Sequence, residues 1–200
     1  GVVFVKLPHG VTSDARTLAA ALTKGTGFIP LTEARQVPVG SQIDARRGTL
    51  RLVDASGHAR RTQAATLTGG LYTLSQLKTG VTKGLTTFTL KEGAFPGAPS
   101  YATCPQAGKP VHAGRQLAAG IARLSRKVLQ TLRTSDNHGN FRTRGRYSAA
   151  TVRGTEFSTS DRCDGTLTTV RRGAVDVLNF RLRRTVAVHA GHSYLARALA

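Results

Sequence analysis

Short runs of threonine and β-branched residues, broken by glycine at roughly ten-residue intervals, set the character of this sequence. Such runs are too short for helices, and each buries one side at best. Gly1 to Leu7, Thr49 to Val53, Thr62 to Thr68, Leu71 to Leu74 and Thr86 to Leu90 read as strands. The rhythm resumes after position 140 with Tyr147 to Arg153, Glu156 to Thr159, Thr166 to Arg171, Ala174 to Leu178, Thr185 to His189 and Ser193 to Ala196. Gly154, Gly165, Gly173 and Gly191 fall between these runs, where a turn needs an unusual backbone. Gly69-Gly70 lies between two runs and predicts a two-residue hairpin. The pattern fits a β-sandwich, a barrel or a β-solenoid within one domain over residues 1–200.

Two stretches depart from it. Asp14 to Lys24 places Leu18, Ala19 and Leu22 at helical spacing, with Thr12 and Ser13 before it and Gly25 after, so a short helix is expected over about 14–24. Leu117, Ile121, Leu124, Val128 and Leu132 form one helical stripe, which predicts an amphipathic helix over about 115–133. It would lie across the β core, inside a helical and irregular insertion spanning about 93–140. Gly93 to Pro110 carries four prolines and reads as an irregular connection.

The charge is strongly one-sided. Lys+Arg 29 against Asp+Glu 10 gives +19, and 22 of the basic residues are arginine. Such a field attracts polyanions. Arg142, Arg144 and Arg146 would point to one face if Phe141 to Arg146 is extended, and three guanidinium groups in line suit a phosphate or carboxylate polymer. Edge-strand charges that block aggregation are the plainer account of the same triplet. Arg171 with Arg172, and Arg183 with Arg184, are further anion-binding candidates. Aromatic residues make up 6 % of the chain, which argues against a surface for stacking bases.

Cys104 and Cys163 sit in no metal-binding spacing, and one disulfide between them is the simplest reading, with two buried thiols as the alternative. The bond would tie the irregular connection to the C-terminal β region. His189 and His192 flank a glycine turn but have no carboxylate close in sequence, and Asp161 and Asp164 are too few for a calcium loop. No GxSxG, P-loop or dinucleotide fingerprint occurs, so neither an enzymatic activity nor a cofactor or metal is expected. No apolar run is long enough to span a membrane. The absence of Met points to a processed product or an excised piece.

Three passages carry a resemblance. Ala150 to Phe157 reads ATVRGTEF, Gly165 to Val177 reads GTLTTVRRGAVDV, and Thr185 to Gly191 reads TVAVHAG. Together they resemble the FecR-type domain. Val37 to Asp44 and Gly48 to Leu52 are similar to that family's opening, so the likeness covers residues 37–54 and 147–197. It implies an extracytoplasmic, all-β, solenoid-like domain. Founding members of the family sense a partner and control an anti-sigma system through a membrane helix. The expected role is a non-enzymatic extracellular module of a larger secreted or surface assembly, its arginine faces meeting neighbouring subunits or anionic cell-surface polymer. A basic nucleic-acid-binding protein and a signal-sensing domain are the alternatives.

Overall fold

A computed structural model describes residues 1–10, 27–34, 36–58, 60–105, 124–136, 138–152 and 154–198. Fifteen strands are described. They are β1 (Val2–Lys6), β2 (Ile29–Leu31), β3 (Gln42–Arg47), β4 (Thr49–Ala55), β5 (Thr62–Thr68), β6 (Leu71–Gln76) and β7 (Thr86–Leu90). After a 3-10 turn at Tyr101–Thr103 come β8 (Val128–Asp136), β9 (Phe141–Arg144), β10 (Ser148–Val152), β11 (Glu156–Arg162), β12 (Gly165–Arg172), β13 (Ala174–Asn179), β14 (Arg184–His189) and β15 (Ser193–Arg197).

The strands form two open sheets over one shared core. The nine-stranded sheet runs β14-β13-β10-β9-β7-β6-β3-β1-β2, and the six-stranded sheet runs β15-β12-β11-β8-β5-β4. Among the described strands all pairings are antiparallel except β7 with β9. Of the architectures the turn spacing left open, this is a sandwich: from β4 to β14 the chain places two strands in one sheet and then passes to the other, except that β8 crosses alone. From β3 onward, both sheets add strands in chain order.

Alternation explains the core. Along β13, exposure and burial alternate without a break, with Val175 and Val177 inside. Tyr72, Phe88 and Phe141 form an aromatic spine on the nine-stranded sheet, Tyr72 meeting Phe88 edge-on at 5.6 Å and Phe88 stacking on Phe141 at 5.8 Å. Leu67, Leu132 and Phe157 of the other sheet belong to the same buried cluster.

Two expectations change. Gly69-Gly70 does not close a hairpin, because β5 and β6 belong to different sheets. The pair instead carries the chain between layers. Gly69 donates its N–H to the Ala45 carbonyl at 3.0 Å, and Ala45 donates to the Gly70 carbonyl at 3.0 Å. Both glycines have positive φ, and a Cβ on Gly69 would lie 2.5 Å from the Thr131 carbonyl oxygen. Only glycine allows that approach.

The helix expected over 115–133 is strand from Val128 onward. Val128 and Leu132, four apart, share a face in a strand as well as in a helix. The inward residues of β8 are Gln130, Leu132, Thr134 and Asp136, so a single apolar residue marks its buried side. The remainder of that expected helix up to residue 123, and the whole of the one expected over 14–24, lie outside the described residues.

The connection after β7 closes one end of the sandwich. Gln130 of β8 donates to the Lys91 carbonyl at 2.8 Å and accepts from the Leu71 N–H at 3.0 Å, tying the two sheets through a buried amide. Cys104 and Cys163 are joined, with Cα atoms 5.5 Å apart, which fastens the 3-10 turn to the end of β11. Lys127 reinforces the join by donating to the Thr103 carbonyl at 3.0 Å.

Candidate functional site

The outer face of the six-stranded sheet is rich in short hydroxyl side chains and arginine, with Val53, Ala64, Leu167 and Leu195 among its apolar members. Strand register lines up Thr49, Thr68, Arg133, Ser158, Thr169 and Ser193 in one row crossing all six strands. Thr49 and Thr68 are hydroxyl-bonded at 3.2 Å, and Thr169 and Ser193 at 2.9 Å. A neighbouring row runs Arg51, Thr66, Ser135 and Glu156. Alternation puts these residues outside because their strand neighbours Leu50, Leu67, Thr134 and Phe157 are buried.

Two shallow depressions of about 210 Å³ each lie on this face and share Thr66 and Ser135. Arg133 and Arg171 line one, with Thr68, Ser158 and Glu156. Arg51 and Arg172 line the other. Arg171 reaches Glu156 at 3.2 Å, with 76 % of its side chain exposed. Arg51, Arg133 and Arg172 have no acidic partner among the described residues. Guanidinium forks beside hydroxyls that both donate and accept can hold carboxylate, sulfate or phosphate groups together with ring hydroxyls.

Arg171 and Arg172 were candidates from sequence. Arg51 and Arg133 were not. Arg51 alternates with Leu50 and Leu52, a signal that was readable. Arg133 was masked by the helical stripe, although Thr131, Arg133 and Ser135 also recur at period two.

The triplet Arg142, Arg144 and Arg146 is on the other sheet and does not form a line of three. Strand β9 lies inside the nine-stranded sheet, between β7 and β10, so the edge-strand account fails too. Arg142 donates its Nε to the Thr151 hydroxyl at 3.0 Å, and Arg144 sits over the Phe180 ring at 4.8 Å. Arg146 has left the strand. It donates to Glu92 at 2.6 Å and stacks over Tyr101 at 4.5 Å. Arg183 and Arg184 are exposed at the turn between β13 and β14, away from the hydroxyl face.

No protein-family model, no curated protein and no solved structure matches this chain.

The passage that resembles the FecR family has a clear structural part. Asp136, buried at the end of β8, accepts the N–H groups of Gly139, Gly154 and Thr155 at 2.9, 3.1 and 3.0 Å and the Thr155 hydroxyl at 3.3 Å. The Gly-Thr of the VRGTEF passage thus caps a buried carboxylate, and its Phe157 fills the core. Gly154, Gly165, Gly173 and Gly191 all have positive φ. At Gly165 a Cβ would lie 2.2 Å from the Ala196 carbonyl oxygen, so β12 and β15 meet there only through glycine.

Other features have different chemistry. Asp161 accepts the Thr166 hydroxyl at 2.6 Å and the Arg146 N–H at 3.1 Å. Burial pushes its carboxyl above the usual carboxylate range, against the pull of those two bonds. Burial likewise lifts the Tyr101 phenol far above its ordinary value, Asp161 and Tyr147 adding to the effect. A cavity of about 270 Å³ is walled by Phe4, Phe28 and Phe95, with Arg46 held by Asp44 at 2.7 Å and lying over Phe95 at 5.2 Å. It can admit an apolar group, but the Arg46 charge is already matched. Among the described residues no group of three or more His, Cys, Asp or Glu side chains could hold a metal, and no helix is long and apolar enough to cross a membrane.

Proposed function

We propose that this chain is a non-enzymatic module of a larger secreted or surface-associated assembly, whose arginine-bearing hydroxyl face holds an anionic polymer or an anionic neighbouring subunit. The observation that carries this reading is the pair of joined depressions in which Arg51, Arg133, Arg171 and Arg172 surround Thr66 and Ser135, with Glu156 and the buried Asp136 as the acids. The Cys104–Cys163 disulfide supports placement in an oxidising compartment. The net charge of +19 favours nucleic acid as a second reading. The outward side chains of the six-stranded sheet include no aromatic ring on which a base could stack. A sensing role rests on the family resemblance alone.

Retention on immobilised heparin tests the reading. One variant replaces Arg51, Arg133, Arg171 and Arg172 with Ser. A control replaces four exposed residues away from the face, Lys78, Arg181, Arg183 and Arg184, with Ser, so the two proteins carry equal charge. The face variant should elute at clearly lower salt than the control. Equal elution of both would reduce the interaction to diffuse charge and end the claim for this site.

A further inference from the structure

We propose that the polymer held on the hydroxyl face is a linear acidic polysaccharide, lying across the strands and carrying one negative charge for every two sugar rings. This rests on the reading of that face as a polymer-binding surface and adds the chemistry of the polymer.

The argument is one of spacing. Arg51 is on β4, Arg133 on β8 and Arg171 on β12. In the sheet order these are every second strand, separated by β5 and by β11. Neighbouring strands lie about 4.8 Å apart, so these three arginines recur at about 10 Å; Arg162, at the far end of β11, is held by Asp164 at 2.6 Å, and Arg197 is at the far end of β15. The strand between Arg51 and Arg133 presents hydroxyls, Thr66 and Thr68, and the strand between Arg133 and Arg171 presents Ser158. Glu156, on that same strand, is taken up by Arg171 at 3.2 Å.

A pyranose ring in an extended β-linked chain advances by a distance close to the interstrand spacing. Successive rings are flipped, so equivalent groups recur on one side at every second ring. A chain with a uronate or sulfate on alternate rings therefore brings a charge to each arginine-bearing strand and ring hydroxyls to the strands between. Arg133 is one row from Arg51, an offset of two residues or about 7 Å along the strands, which the long arginine side chains can span.

Phosphate polymers fit less well. Over the roughly 20 Å from β4 to β12, a nucleic-acid duplex presents about twelve charges. The four guanidinium groups of the face would leave most of them unmatched.

The probes are hyaluronan oligosaccharides, which carry one carboxylate per disaccharide, and single-stranded DNA and polyphosphate of the same total charge. Affinities are measured by calorimetry at about 0.15 M salt. Hyaluronan should bind at least an order of magnitude more tightly than either phosphate polymer. Arg133→Ser should remove that preference, whereas Arg184→Ser, on the other sheet, should leave it intact. Thr66→Arg, which sets a guanidinium on an intervening strand, should move the preference toward polyphosphate. Phosphate polymers binding as tightly as hyaluronan would overturn the spacing inference while leaving the polymer-binding reading standing. No retention of any probe, or no effect of replacing all four arginines, would overturn the polymer-binding reading itself.

Discussion

Single buried polar residues hold the turns of this molecule. Asp136 satisfies three backbone N–H groups and one hydroxyl. Asp136→Ala leaves those donors buried without an acceptor, which should cost about 3 kcal/mol or more of unfolding free energy, measured by urea denaturation. Asp161 gives a pH signature. Its carboxyl is raised in the folded state by burial, so folding favours the neutral form. That contribution is fully present below the unfolded value near ~3.9 and is lost as pH rises through the higher folded value. Asp161→Asn keeps an oxygen for Thr166 and Arg146 and removes the charge. Its stability relative to the parent should therefore improve between pH 4 and pH 7, measured as a difference in urea midpoints at the two values; an unchanged difference would count against burial as the cause. At this scale the sequence was partly legible. Arg171 and Arg172 stood out as a doublet, whereas Arg133 was hidden by apolar residues whose spacing suits helix and strand alike.

Strands were readable wherever one side is apolar, as in β13 with Val175 and Val177. They were not readable where the buried side is polar. β8 buries Gln130, Thr134 and Asp136 because each finds partners in the opposite layer or in a turn, and partners in space leave no trace in local periodicity. The glycine pair at 69–70 gave the right backbone and the wrong connection, since positive φ serves a layer crossing as well as a hairpin. Gly69→Ala should cost about 1–3 kcal/mol from backbone strain alone, with the close Thr131 carbonyl adding to it. The disulfide acts on a loop rather than a strand. Replacing Cys104 and Cys163 together with Ser should lower stability by up to about 4 kcal/mol, the chain-entropy value for a closed loop of 59 residues. A proteolysis time course should then show the first cuts between residues 91 and 105, where the 3-10 turn loses its anchor.

Among the described residues, the outer side of the six-stranded sheet is exposed and its inner side buried, and both layers carry exposed arginines. Amide hydrogen exchange should distinguish centre from margin: β7, β8 and β9 should exchange slowest, and β14 and β15, each bonded to one neighbour, should exchange first. The fold class was legible because glycine spacing sets strand length. The division into layers was not, because it depends on which turns cross the core. From β5 to β15 each new strand joins an edge that is already in place. A chain that becomes available from its N-terminus can therefore assemble strand by strand, each new strand meeting a partner already in place. The parallel seam between β7 and β9 is bridged as soon as β8 has crossed to the other layer.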